Sequence, residues 1–179
     1  MYFSQFPMMV YDLKGDKKFK LLPDILRRVK LRAGLSASRF VFDKYNVKEN
    51  ENPEDVAFKY YGDPTYHWVV LMVNNITDRY YQWPMNQADF ADFLTDKYGA
   101  GNEDATHHHE LAQTSGKTTS IDDSHMLEVN SDTDGATTIT NRQFEERQQN
   151  KLRQIRLLED KYLDAFTEEF FGLIKKNRF

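Results

Sequence analysis

The sequence predicts an α+β protein: a small βααβ unit with an extended N-terminal arm ahead of it, then a polar loop, a β-hairpin and a long C-terminal helix. Three observations carry that expectation. "NPEDVAFKYYGDPTYHWVVLMVNN", Asn52 to Asn75, holds two prolines, each one place after a side chain that can cap a helix. "RFVFDKYNV", Arg39 to Val47, alternates its β-branched and aromatic residues as a strand does. Between Arg142 and Lys176, Ile155, Leu158, Tyr162, Phe166, Phe170 and Leu173 recur every three or four places, the stripe of an amphipathic helix. The expected segments are an arm over 1–38, the βααβ domain over 39–98, a polar loop over 99–124, the hairpin over 125–141 and the final helix over 142–179.

In the helical pair, Asn52 can accept from the free amides of a starting helix, and Pro53 suits the first helical position, where its missing donor costs nothing. Gly62 can take the left-handed conformation that ends the helix, and Asp63 with Pro64 repeats the start signal. Trp68 to Val73 is apolar on nearly every face and needs cover on most sides, so the domain core is expected at Val56, Tyr60, Trp68 and Leu71. Ile76 to Trp83 is expected to return as the second strand before Pro84 breaks it. Asn86 then caps a helix that stops near Gly99.

"AGNEDATHHHELAQTSGKTTSIDDS", Ala100 to Ser124, has almost no apolar period and reads as a loop. Two strand-like runs flank Asp134-Gly135, a dipeptide that favours a hairpin turn.

The arm is both basic and apolar. From Lys14 to Arg39 there are nine Lys or Arg against two Asp, in a chain whose formal net charge is −4. Leu21, Leu22, Ile25, Leu26, Val29 and Leu31 interleave with those charges, which suits a partner-facing segment better than a bare phosphate-binding stripe. Tyr2, Phe3 and Phe6 precede them, and the final helix is equally rich in Phe. Either these extensions fold back and share one core with the small domain, or they dock on another chain.

Composition narrows the classes. The 179 residues include no cysteine, so disulfides and thiolate metal sites are excluded. The longest apolar run, Trp68 to Val73, is far short of the roughly 20 residues that span a bilayer. "YFSQFPMMVYD" after Met1 lacks the basic start and apolar middle of a secretory signal, so a soluble protein made in the cytoplasm is expected.

Catalytic and metal motifs fail on spacing. Gly116-Lys117-Thr118 ends like a phosphate loop, but the first glycine of that loop falls on Leu111. "GLSAS" has Ser36 where a nucleophile elbow has its serine, yet Ser38 replaces the closing glycine. His107, His108 and His109 are adjacent and cannot all converge on one ion with Glu110. Asn130, Asp132, Asp134 and Gly135 match the first half of a calcium loop, but Asn141 stands where its bidentate Glu belongs. No catalytic residue, metal or cofactor is assigned.

"YNVKENENPEDVAFKYYGDPTYHWVVLMVNNI", Tyr45 to Ile76, resembles a LysM domain. Together with "YFSQFP", "ILRR" and the late "KLRQIRLLEDKYLDAFTEEFFGLI", the chain resembles the baseplate wedge subunit of contractile-tailed bacteriophages, the T-even-type gene product 53 family. That resemblance implies a structural role in a virion tail baseplate assembled in the host cytoplasm. The partners it implies are the helical bundle of the wedge core, the sheath initiator and the adjacent wedge, without nucleic acid or membrane. The alternative is a LysM-type peptidoglycan-binding tail protein. Against it, the Gly-Asp-Thr usual in glycan-binding LysM modules is replaced by "ENENPED", with its four acids.

From the apolar pattern and the resemblance together, interface anchors are expected at Tyr2, Phe3, Phe6, Ile25, Leu26, Val29, Phe166, Phe170 and Phe171. Arg27 and Arg28 are expected to meet acidic or backbone acceptors on a partner.

Overall fold

The computed structural model describes residues 6–27, 29, 41–113 and 125–175. In chain order the elements are β1 (Met8–Asp12), β2 (Phe19–Pro23), β3 (Phe42–Asn46), α1 (Pro53–Tyr61), α2 (His67–Val73), α3 (Arg79–Gln82), α4 (Gln87–Tyr98), β4 (Thr106–Ala112), β5 (Met126–Val129), β6 (Thr137–Thr140), α5 (Asn141–Arg153), β7 (Gln154–Leu158) and α6 (Leu163–Lys175). Short 3-10 turns stand at Pro64–Tyr66 and Asp160–Tyr162. The chain groups into two units, Met1–Tyr45, Glu51–Thr77 and Arg156–Phe179 in one, Asn46–Asn50 and Asp78–Ile155 in the other.

In the first unit the helical pair forms as its caps dictate. The Asp55 carboxylate accepts from the Asn52 amide at 2.9 Å, and Gly62, at φ 77°, closes α1 by donating to Phe58 O at 3.0 Å. Asp63 caps the next turn through Thr65 N at 2.8 Å. Pro64 starts a 3-10 turn, and the α-helix itself begins only at His67.

The expected returning strand does not form. Asp78 accepts from Tyr80 N at 2.9 Å and starts the short helix α3 within the Ile76 to Trp83 stretch. The partner of β3 is β7, some 80 residues on from α2, so the closing strand lies outside 39–98 and the LysM-like reading does not describe that segment by itself. The side chain of Asn74 holds β7 in place, and Tyr61 Oη donates to Leu158 O at 3.0 Å. The same strand interrupts what the periodicity reads as one helix from Arg142 to Lys176. Ile155, Leu157 and Leu158 are all buried, and pairing with β3 overrides the helical spacing of Ile155 and Leu158.

One core unites the unit. Phe6, Phe42, Trp68, Val69, Val73, Leu158, Leu163, Phe170 and Ile174 are buried together, with Val29, Phe166 and Phe171 packed against them. Of the expected domain core, Val56 and Trp68 are buried, while Tyr60 and Leu71 are half-buried.

In the second unit a three-stranded sheet has the order β5-β4-β6. Its central strand, Thr106–Ala112, lies in the stretch read as a polar loop, because "THHHELA" hides its alternation among polar residues. Nor do β5 and β6 form a hairpin: each pairs antiparallel with β4, Leu127 opposite Leu111 on one side and Ile139 opposite His108 on the other. The turn at Gly135 (φ 79°) carries the chain from one side of β4 to the other, and a Cβ there would lie 3.4 Å from the Leu111 side chain. Thr140 and Gln143 cap α5 reciprocally, at 3.2 and 3.0 Å.

Candidate interaction surface

Most of the exposed large apolar side chains among the described residues lie on the β1–β2 hairpin and the segment after it. Its turn is built by one carboxylate. Asp12 Oδ1 accepts from Gly15 N at 2.8 Å and Lys14 N at 3.2 Å, while Oδ2 accepts from Lys17 N at 2.8 Å. Partial desolvation pushes that carboxyl up, but the backbone donors outweigh it and hold it below the usual carboxylate range. Gly15 and Lys17 take the positive φ, 69° and 62°, that so tight a loop demands.

The strands run antiparallel with Met8 opposite Pro23, Val10 opposite Leu21 and Asp12 opposite Phe19. Opposed residues point to the same side, so Met8, Val10, Phe19 and Leu21 share one face. They are 53%, 63%, 65% and 62% exposed. The other face carries Met9, Tyr11, Lys20 and Leu22, of which Met9 is half-buried.

The base of the hairpin is fastened at both ends. Phe6, immediately before it, is buried in the first-unit core, and Asp24 N donates to Pro7 O at 2.8 Å. Arg27 donates Nε to Asp24 Oδ2 at 2.9 Å and Nη1 to Ile174 O of α6 at 3.1 Å. The hairpin is thus presented by a folded support. A two-stranded ribbon alone in water is marginal.

The structure redistributes the expected anchors. Phe6 and Phe170 are buried inside the chain, and Phe166 and Phe171 pack beside Trp68 with ring centroids 6.2 and 5.8 Å away; Phe170 itself is at 4.5 Å. Of the two arrangements open in the sequence, the final helix and the arm's Phe6 and Val29 fold back, because Trp68, Val69 and Val73 offer the apolar area that the Phe stripe needs. Val29 packs on that cluster, and Arg27 donates to Asp24 Oδ2 and Ile174 O within its own chain. Ile25 and Leu26 remain outward, 64% and 84% exposed. Tyr2, Phe3, Arg28, Ser36, Ser38 and Gly116-Lys117-Thr118 lie outside the described residues. Sequence reasoning did not place Met8, Val10 and Phe19 among the anchors, although "MMVYDLKGDKKFKLL" carries the signal of two alternating runs around a Gly-Asp turn.

The polar clusters serve the fold. Glu51, in the acidic loop before α1, is buried and accepts from Tyr45 Oη, 3.0 Å from each carboxylate oxygen, and from Lys59. Burial and that carboxylate push the Tyr45 hydroxyl up to about 12. His107 stacks on Phe144 at 4.1 Å, His109 Nδ1 lies 3.1 Å from Thr138 Oγ1, and His108 Nε2 lies 2.8 Å from Glu110. Arg147 Nη1 reaches both oxygens of Glu110 at 2.7 Å. Burial raises the Glu110 carboxyl, yet the Arg147 and His108 hydrogen bonds prevail and hold it below its ordinary value. Among the described residues no group of three or more His, Asp or Glu is placed to hold a metal, and no helix is long and apolar enough to cross a membrane.

Fold and surface together define an α+β protein that holds an exposed apolar, basic-tipped hairpin by its base. The chain belongs to the family described as base plate wedge protein 53, whose model matches residues 3–124. It is 30% identical over 112 residues to the baseplate wedge protein gp53 of Enterobacteria phage T4, an alignment covering 60% of this chain and 57% of that protein. The chain therefore spans little more than half the length of this relative.

Proposed function

We propose that this chain is a structural subunit of a contractile phage tail baseplate wedge. It joins the helical wedge core, the sheath initiator and the neighbouring wedge through protein contacts, and it performs no catalysis. Family membership supports the baseplate as its place. The observation that carries the joining role is the exposed apolar segment from β1 to Leu26, held on a folded base by Phe6 and Arg27. Large side chains left in water at a fastened site are covered when a neighbour docks. Nucleic acid and membrane are not among the partners. Among the described residues the Lys-rich stretch is spent on a tight loop beside aliphatic residues, with no stripe of cations to track phosphates.

The test is fractionation of purified tails into baseplate and sheath. Peptides of this chain should appear in the baseplate fraction in a fixed ratio to the other wedge subunits. A chain found only outside assembled particles would overturn the reading. In the same particles, Ile25→Asp combined with Leu26→Asp should leave the isolated protein folded and reduce its incorporation at least tenfold.

A further inference from the structure

The outward face of the β1–β2 hairpin has its own chemistry, and this inference rests on the baseplate reading above. Met8, Val10, Phe19 and Leu21 form a continuous aliphatic and aromatic strip on one face, and Leu13 in the loop, 66% exposed, extends it. Around the tip stand Lys14, Lys17 and Lys18, while Lys20 lies on the opposite face. The Asp12 carboxylate is occupied by three backbone amides, and Asp16 lies 3.9 Å from Lys18. Three lysines against the two carboxylates leave the tip with a small surplus of exposed positive charge.

We infer that this face docks on another protein of the assembly, against an apolar surface whose end nearest the hairpin tip is lined by Asp and Glu. Charge complementarity fixes the polarity of the contact: carboxylates at the Lys14–Lys18 end, uncharged apolar residues at the Met8–Leu21 end. A lipid surface is the weaker match. The hairpin is a two-stranded sheet among the described residues, so its outer edges present unpaired backbone groups, which hydrocarbon does not tolerate. Nucleic acid is weaker still, because the centre of the face is aliphatic and its lysines cluster at one end.

The experiment places a photoreactive benzoylphenylalanine at Leu21, on the outward face, or at Lys20, on the opposite one, in full-length chains assembled into phage particles. Irradiation, digestion and mass spectrometry identify what each position touches. The expected result is a crosslink from position 21, at least fivefold stronger than from position 20, to an apolar segment of another subunit flanked by Asp or Glu. Crosslinks from position 21 to DNA, to lipid, to this chain itself or to a segment without acids would overturn the inference.

A companion variant, Lys14→Glu with Lys17→Glu and Lys18→Glu, touches only exposed side chains. It should lower incorporation at least tenfold while the circular dichroism spectrum is unchanged; unchanged incorporation would overturn the charge assignment. Particles that contain the chain without the position-21 crosslink would sink this inference and leave the baseplate reading standing. Particles that lack the chain would sink both.

Discussion

The side-chain amide of Asn74 brackets the backbone of Arg156. Its Nδ2 donates to Arg156 O at 2.7 Å and its Oδ1 accepts from Arg156 N at 2.8 Å, while Nδ2 also reaches Val70 O at 2.8 Å. One residue at the end of α2 thus does for β7 what a neighbouring strand would do.

Replacing Asn74 with Ala should therefore cost more than an ordinary surface change. It removes the Asn74 hydrogen bonds from both backbone groups of Arg156, and losing such a partner away from water costs ~1–3 kcal/mol. We expect a loss of about 2–3 kcal/mol by urea denaturation. A loss below the ~0.5 kcal/mol of a neutral surface substitution would mean that water substitutes freely for the amide.

Trp68 and Phe170, with ring centroids 4.5 Å apart, join α2 to α6. Trp68→Ala and Phe170→Ala should each destabilise by ~3–5 kcal/mol, and the double variant by less than their sum, because both empty the same space. Additive losses in chemical denaturation would show that the two rings do not depend on each other.

Amide hydrogen exchange on the isolated chain should find α6 protected, since Leu163, Phe170 and Ile174 are buried without any partner protein. The loop from Leu13 to Lys18 should exchange faster. Rapid exchange throughout α6 would contradict the shared core.

Glu110 should shape the acid limb of stability. Its folded carboxyl lies below the ordinary 4.5, so its contribution is complete above that value and is withdrawn as pH falls through the lower folded value. Glu110→Gln should flatten the stability curve below about pH 4.5 and cost ~1.5–3 kcal/mol near neutrality, where the Arg147 pair is lost. A parallel displacement of the whole curve, with the acid slope retained, would assign that slope to other carboxylates.

Thr140→Ala removes the hydroxyl that caps α5 and should cost ~1 kcal/mol, read as a shift of the denaturation midpoint at constant slope.

Legibility followed the range of the interactions. The caps at Asn52, Asp63 and Asn86, the stop at Gly62 and the helix ending at Tyr98 all depend on residues within a turn of one another, and they were readable. Strand β4 was not, because "THHHELA" has no apolar alternation; it becomes central only when Leu127 and Ile139 arrive on either side. Strand β7 was misread because Ile155 and Leu158 fit a helical stripe as well as a strand, and Leu157 between them was the overlooked sign. The hairpin face was missed because residues 1–38 were read as an arm, without the register that puts Met8, Val10, Phe19 and Leu21 on one side.

By itself, then, the sequence determined the α+β class, the capped helical pair and the family resemblance, because local hydrogen bonds and residue order need no distant partner. Only the tertiary structure decided which segment closes against β3, that the Phe-rich end covers Trp68, and which apolar residues stay in water. Those outcomes turn on contacts between residues far apart in the chain, where several segments could satisfy the same apolar surface and only packing selects among them.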